Sequence, residues 1–221
     1  MDNENVLKDA VETFAETIKL KVEQLRRFVP KEKAHTNTDL TGRYIEELVR
    51  GFIRHWIRDQ QLLHGTLYSG DINGTYDRPL QLDGIVYDPS SGPLILQEGD
   101  FVIVHPAFCS AVIEIKMTLP NGMDTFETRL REIWNRHFHG VPSYHVMGVV
   151  IADKNPEVAS RRTHSDGKFD FYYKYFDGGL CPIFVLFKEA EDGQYEPFYP
   201  AIDAMIRAIY RNTKIDTNYI D

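Results

Sequence analysis

Three charged residues stand inside runs of this chain that are otherwise built for burial. Residues 81–87 read QLDGIVY, with Asp83 inside them, and 31 residues further on the run AFCSAVIEIK carries Glu114 and Lys116 with one apolar residue between them. Both runs have the apolar, β-branched character of strands. Successive strand side chains alternate between faces, so Glu114 and Lys116 share one face while Ile115 turns into the core. Asp83 on a neighbouring strand completes a cluster of two acids and a lysine. Such a set suits a hard divalent cation with oxygen ligands, beside an ammonium that orients water or steadies negative charge. A second acid-x-Lys triplet, Asp166 to Lys168, lies in the polar stretch THSDGKFD, where no apolar strand precedes it to aim its side chains. The structural alternative for Asp83, Glu114 and Lys116 is a partly buried ion pair with a turn acid.

The 221 residues suit one domain, 1–221, opened by a helix over residues 3–28. Helical spacing of Val6, Val11, Phe14, Ile18, Val22 and Leu25, ending before Pro30, predicts that helix. A second helix starts near Asp39 or Thr41 with an apolar stripe of Leu40, Tyr44, Leu48, Phe52 and Trp56. Residues 65–70 and 80–87 read as a strand pair, 101–104 and 107–116 as further strands bent apart at Pro106, and 124–138 as a helix. HVMGVVIA, apolar on both faces, belongs in the centre of a sheet covered by helices, CPIFVLF is another buried strand, and a helix over 199–210 follows. The order of elements predicts an α/β fold with a mixed central sheet flanked by helices.

No run approaches the length of a membrane span, and the start MDNENVLKDAVE is acidic where a secretory signal would be basic and then apolar, so the expectation is a cytoplasmic protein with no membrane partner. The two cysteines, Cys109 and Cys181, fall in predicted core strands away from any zinc-spaced partner and are expected to be reduced and buried. A net charge of −8 argues against indiscriminate nucleic-acid binding and leaves room for a local basic track. Arg50, Arg54 and Arg58 recur every fourth residue, and Arg129, Arg131 and Arg136 crowd the later helix. The alternative for each cluster is a solvated face paired to carboxylates.

Asp83 followed by Glu114-Ile115-Lys116 at the end of an apolar strand resembles the PD-(D/E)xK nuclease superfamily, whose fold many restriction endonucleases share. TGRYIEEL, QLDGIVYD and VIVHPAFCSAVIEIK, in that order and spacing, resemble the NucC-type endonucleases of bacterial CBASS anti-phage defence and related uncharacterised nuclease-like families. The match spans residues 41–116, extends loosely to HVMGVVIA and fades beyond Asp153.

The resemblance implies a restriction-endonuclease-like fold and a Mg²⁺-dependent endodeoxyribonuclease, with Mn²⁺ an accepted substitute. Asp83 and Glu114 would hold the metal with the Ile115 carbonyl, Lys116 would position or deprotonate the attacking water, and Glu46 would approach the site from the second helix. Gln81, on the Asp83 face, is a further candidate donor, with a core amide as its alternative. The implied partners are double-stranded DNA, further copies of the chain in a trimer or hexamer, and a cyclic oligonucleotide activator. Arg50, Arg54, Arg58, Arg129 and Arg136 are the candidate DNA contacts. The aromatic run FDFYYKYF is either a nucleotide clamp or an alternating strand. Two other readings stay open: a nuclease-like binding module without catalysis, and a ribonuclease.

Overall fold

The computed structural model describes residues 3–28, 38–55, 57, 59–68, 80–118, 123–138, 146–153, 162–163, 169–170, 172–176, 179–190 and 195–213. Helices α1 (Asn3–Phe28), α2 (Thr38–Arg54), α3 (Met123–His137) and α4 (Tyr199–Thr213) pack on a sheet formed by β1 (Gln61–Leu67), β2 (Gln81–Tyr87), β3 (Leu96–Glu98), β4 (Phe101–Val104), β5 (Cys109–Lys116), β6 (Val146–Asp153), β9 (Tyr172–Phe176), β10 (Gly179–Glu189) and β11 (Tyr195–Pro197). Between β6 and β9, β7 (Arg162–Thr163) and β8 (Phe169–Asp170) form a separate two-stranded ribbon. The sheet order is β11-β10-β6-β5-β2-β1-β4-β3, with β9 beside β11 on the edge of β10 away from β6. β5, β6 and β10 run parallel in the middle, and β2 joins them antiparallel.

Two apolar layers sandwich this sheet. Val11, Phe14, Ile18, Ile45, Val49, Ile53 and Ile206 of α1, α2 and α4 pack with Ile113 and Ile115 on one face. Phe126, Leu130, Ile133 and Trp134 of α3 pack with Ile85, Val112 and Val150 on the other. Each such side chain, fully buried, contributes roughly 1.5–3 kcal/mol of transfer free energy. α3 lies close on β6 because Gly148 faces it: a Cβ there would stand 2.7 Å from the Phe126 ring. The HVMGVVIA strand takes the central position that its two apolar faces require.

Three points of the sequence reading need adjustment. In α2 the deeply buried row is Ile45, Val49 and Ile53, one position on from the predicted stripe; Tyr44 is exposed, and Leu48 and Phe52 serve α1, with Phe52 stacked on Phe14 at 3.5 Å between ring centroids. The helix has two partners, so its apolar sector is wider than one stripe. The first strand is Gln61–Leu67 instead of residues 65–70, because His64 and Gly65 break its alternation. β3, exposed and at the sheet edge, carries no alternating signal at all. In the aromatic run, residues 172–176 pair antiparallel with β10, as the strand reading requires. Trp56 and the side chains of Val6, Leu25 and Leu40 lie outside the described residues.

Among the described residues, no helix is long and apolar enough to cross a membrane. Cys109 and Cys181 are free and buried, and burial raises both thiols, Cys109 to about 12.

Candidate active site

The site is set by an irregularity in β2. Leu63 pairs with Ile85 and Gly65 with Leu82, so two steps along β1 meet three along β2, and His64 alone faces both Asp83 and Gly84. This is a β-bulge, which bends a strand and re-aims its side chains. Its effect is visible in the core: Leu82 and Ile85, which strict alternation would put on opposite faces, both enter the α3 layer. Gly65 sits against the bulge with φ +154°, and a Cβ there would lie 2.0 Å from the Val102 carbonyl oxygen, so the close approach of β1 to β4 requires glycine. Sequence reasoning missed the bulge, although glycine directly after Asp83 inside a strand was a signal for it.

The bulge brings Asp83 to the end of β5. Its Oδ2 accepts from the Ile115 backbone N–H at 2.8 Å. Lys116 Nζ lies 3.0 Å from Glu114 Oε1 and 3.9 Å from Asp83 Oδ2, so the three residues singled out from the sequence do converge. Ile115 turns the other way and is buried in the α1, α2 and α4 layer. From α3, Arg129 Nε reaches Glu114 Oε1 at 3.4 Å, and its Nη2 donates to the Gln81 carbonyl at 2.7 Å. From α2, Arg50 Nη1 donates to the Asp83 carbonyl at 2.5 Å. The Gln81 residue is exposed, and its backbone is what joins the site.

Glu46 and Glu47 are separated by the helix phase. Glu46 is three-quarters buried, and its negative charge acts on both Asp83 and Lys116. Glu47 instead pairs with Arg54 at 2.7 Å and Arg50 at 3.0 Å. Burial works to raise the Glu47 carboxyl, but hydrogen bonds from Arg54 and Arg50 prevail and hold it below the usual range.

The electrostatics of the cluster are those of carboxylates kept from water. Asp83 is raised above its ordinary value, chiefly by burial and then by Glu46, against the opposing Ile115 hydrogen bond and the Lys116 charge. Glu114 is raised by burial and by Asp83, against Lys116 and Arg129. Burial pulls Lys116 down, yet the charges of Glu114, Asp83 and Glu46 outweigh it and hold the ammonium above the usual lysine range. Glu114 Oε2 is buried and has no hydrogen-bond partner.

That orphaned oxygen tests the implied metal. Two desolvated carboxylates, one with an unused oxygen, form a hard donor set that fits a divalent cation of the Mg²⁺ type, which is held by one or two carboxylates and keeps several waters. Among the described residues, no three His, Cys, Asp or Glu side chains are grouped as a complete protein cage.

Of the arginines expected to contact DNA, Arg50, Arg54, Arg129 and Arg136 are engaged within the chain itself. Arg50 is buried and bonded to Glu47 and the Asp83 carbonyl, which removes it as a phosphate contact in this conformation. Arg54 holds Glu47 and the Leu62 carbonyl, Arg129 holds Glu114, and Arg136 pairs with Glu132 at 3.2 Å. Helical spacing reports a shared face but not whether that face is wet. Arg58 lies outside the described residues.

Comparison with known proteins bears on the fold. No family model matches the sequence, and no curated protein matches it. Among solved structures, the chain is similar to E. coli NucC in its cAAA-bound form, with a TM-score of 0.58 and 15% identity over 96% of this chain and 90% of that one. P. aeruginosa NucC, also cAAA-bound, gives 0.54 and 15% over 96% and 91%, and the apo form of E. coli NucC gives 0.51 and 15% over 95% and 90%. The fold is therefore the mixed-sheet, restriction-endonuclease-like α/β fold.

Proposed function

We propose that this chain is a Mg²⁺-dependent endonuclease that hydrolyses phosphodiester bonds of double-stranded DNA, serving as a defence effector switched on by a cyclic oligonucleotide. The observation that carries the reading is the convergence of Asp83, Glu114 and Lys116 at a β-bulge in a restriction-endonuclease-like sheet. Asp83, Glu114 and the Ile115 carbonyl would hold the cation, which when bound neutralises charge on the phosphate and supplies a metal-activated water. Lys116, kept protonated by its acidic neighbours, is placed to donate to that water or to a non-bridging oxygen. Glu46 adds negative charge on the α2 side and suits a water-mediated role. Because Asp83 is anchored through Ile115 N–H and the Arg50 contact, its carboxylate is held in place before substrate arrives.

The activator is proposed from the two similar structures solved with cAAA, and assembly into a trimer or hexamer from the resemblance to NucC-type enzymes. One observation favours a non-catalytic binding module instead: Lys116 and Arg129 already neutralise Glu114. Plasmid cleavage decides between them. Purified protein is incubated with supercoiled plasmid or RNA, with Mg²⁺, Mn²⁺ or EDTA, and with or without cyclic triadenylate and other cyclic oligonucleotides. Nicking or linearisation that needs a divalent cation supports the proposal; no cleavage under any condition, or cleavage that persists in excess EDTA, refutes it.

A further inference from the structure

A bulge takes a residue out of the ladder, and the Asp83 carbonyl in this one is bonded to a side chain, the Arg50 guanidinium of α2. The guanidinium is buried and committed on every side. Nη1 gives the 2.5 Å bond to Asp83 O and lies 3.7 Å from Glu46 Oε2; Nε and Nη2 hold Glu47 Oε2 at 3.1 and 3.0 Å. Glu47 is fixed in turn by Arg54. A planar fork presents one edge to the backbone carbonyl and another to the carboxylate in fixed geometry, which the single nitrogen of an ammonium does not reproduce. A buried arginine therefore connects the strand that presents Asp83 to the helix that presents Glu46.

We propose that Arg50 is a positioning residue of the candidate metal site. It locks the Asp83 main chain in the bulge and ties that strand to α2, the helix that carries Glu46, whose phase the buried Ile45, Val49 and Ile53 row sets. The inference rests on the metal-site reading above and assigns Arg50 a role other than phosphate contact. Loss of Arg50 loosens Asp83 itself, so the Asp83 bond to the Ile115 amide weakens with it.

The test uses the full chain as wild type, Arg50→Lys, Arg50→Met and Arg54→Met. Each is titrated calorimetrically with Mn²⁺, and hydrogen exchange of the Ile115 amide is followed in EDTA. Losing an outer partner of a metal ligand typically weakens metal affinity by about 10–100-fold, so both Arg50 variants are expected to fall in that range while Arg54→Met stays within about twofold of wild type. Ile115 exchange is expected to accelerate in the Arg50 variants only, a readout that needs no metal and that a general loss of stability would not confine to one amide. If Arg50→Met does not fold, Arg50→Lys, which keeps the charge but not the fork, carries the test. Wild-type Mn²⁺ affinity and wild-type Ile115 protection in the folded Arg50 variants overturn the inference, as does a defect confined to DNA binding. Wild-type protein that binds no Mn²⁺ removes the metal reading itself, and the two failures are thereby distinguished.

Discussion

Replacing Glu114 by glutamine should stabilise the metal-free protein at neutral pH, even though it removes a charge that two cations contact. Glu114→Gln keeps the volume and the carbonyl oxygen facing Lys116 and Arg129. The attraction it gives up is modest, because Lys116 is nearly half-exposed and Arg129 about a quarter, and solvent screens such pairs to roughly 0.2–1 kcal/mol each. Against that, keeping an ionised carboxylate buried beside the Asp83 charge costs about 1–3 kcal/mol more than the neutral amide that replaces it, the larger effect. The net expectation is roughly 1 kcal/mol of stabilisation, or about 2–4 °C in Tm for a chain of this size. The sign with pH follows from the raised carboxyl: just above the ordinary carboxylate range the native state holds more protons than the unfolded chain, so wild-type stability falls as pH rises through that window. The advantage of Glu114→Gln should therefore be absent in acid and present at neutral pH. Thermal unfolding in EDTA across a pH series measures it, and added Mn²⁺ should reverse the order by stabilising wild type alone. A variant that melts below wild type at neutral pH in EDTA, or an advantage constant with pH, refutes the reasoning.

Asp83→Ala and Lys116→Ala should leave a folded protein by circular dichroism while lowering single-turnover plasmid cleavage by at least about a hundredfold, for Lys116 the usual scale of a positioned proton-handling group and for Asp83 the loss of a proposed metal ligand; full activity in Asp83→Ala would sink the site. Glu46→Ala should lose about 10–100-fold in cleavage and Glu47→Ala severalfold at most, acting only through Arg50; an equal or larger loss at Glu47 would show that the roles are reversed. Light scattering should find a trimer or hexamer at micromolar concentration, and a monomer with full activity would refute assembly as a condition of cutting.

The alternation rule was enough to place Glu114 and Lys116 on one face and Ile115 in the core, because β5 is regular along its length. It was not enough for β2, where the bulge shifts the phase between Leu82 and Ile85. A period of two has no way to register an inserted residue; only Gly84, an ill-fitting residue for a strand interior, pointed to it. The surroundings of the arginines were illegible for a different reason. Arg50 and Arg54 share a helix face, but whether that face meets solvent or the end of β2 depends on where α2 lies across the sheet, which is tertiary information. Glu46 was named by the resemblance alone; about 100° per helix residue says only that it and Glu47 face different ways, and the Arg50 contact that joins α2 to β2 is visible only in the folded chain.

The cations around the site spend their charge on the protein's own carboxylates: Arg50 and Arg54 on Glu47, Lys116 and Arg129 on Glu114, Arg136 on Glu132. In a chain of net charge −8, this leaves weak positive potential where a polyanion must approach. Lys116 and Arg129 both contact a single oxygen, Glu114 Oε1. On the proposed reading, a divalent cation competes with them for that carboxylate, and the released ammonium and guanidinium face incoming phosphate. Cation and DNA binding are then linked, each raising the affinity for the other by the same factor, of about 5–150-fold for ordinary coupling energies. Titrating Ca²⁺ with and without a saturating duplex, in a buffer where the duplex is first shown to stay intact, measures that factor. Arg129→Met should lower it, because one of the two released cations is gone. Equal Ca²⁺ affinity in the presence and absence of DNA would mean that the internal ion pairs persist in the loaded site, and the acidic chain would then have to draw its DNA affinity from neighbouring subunits.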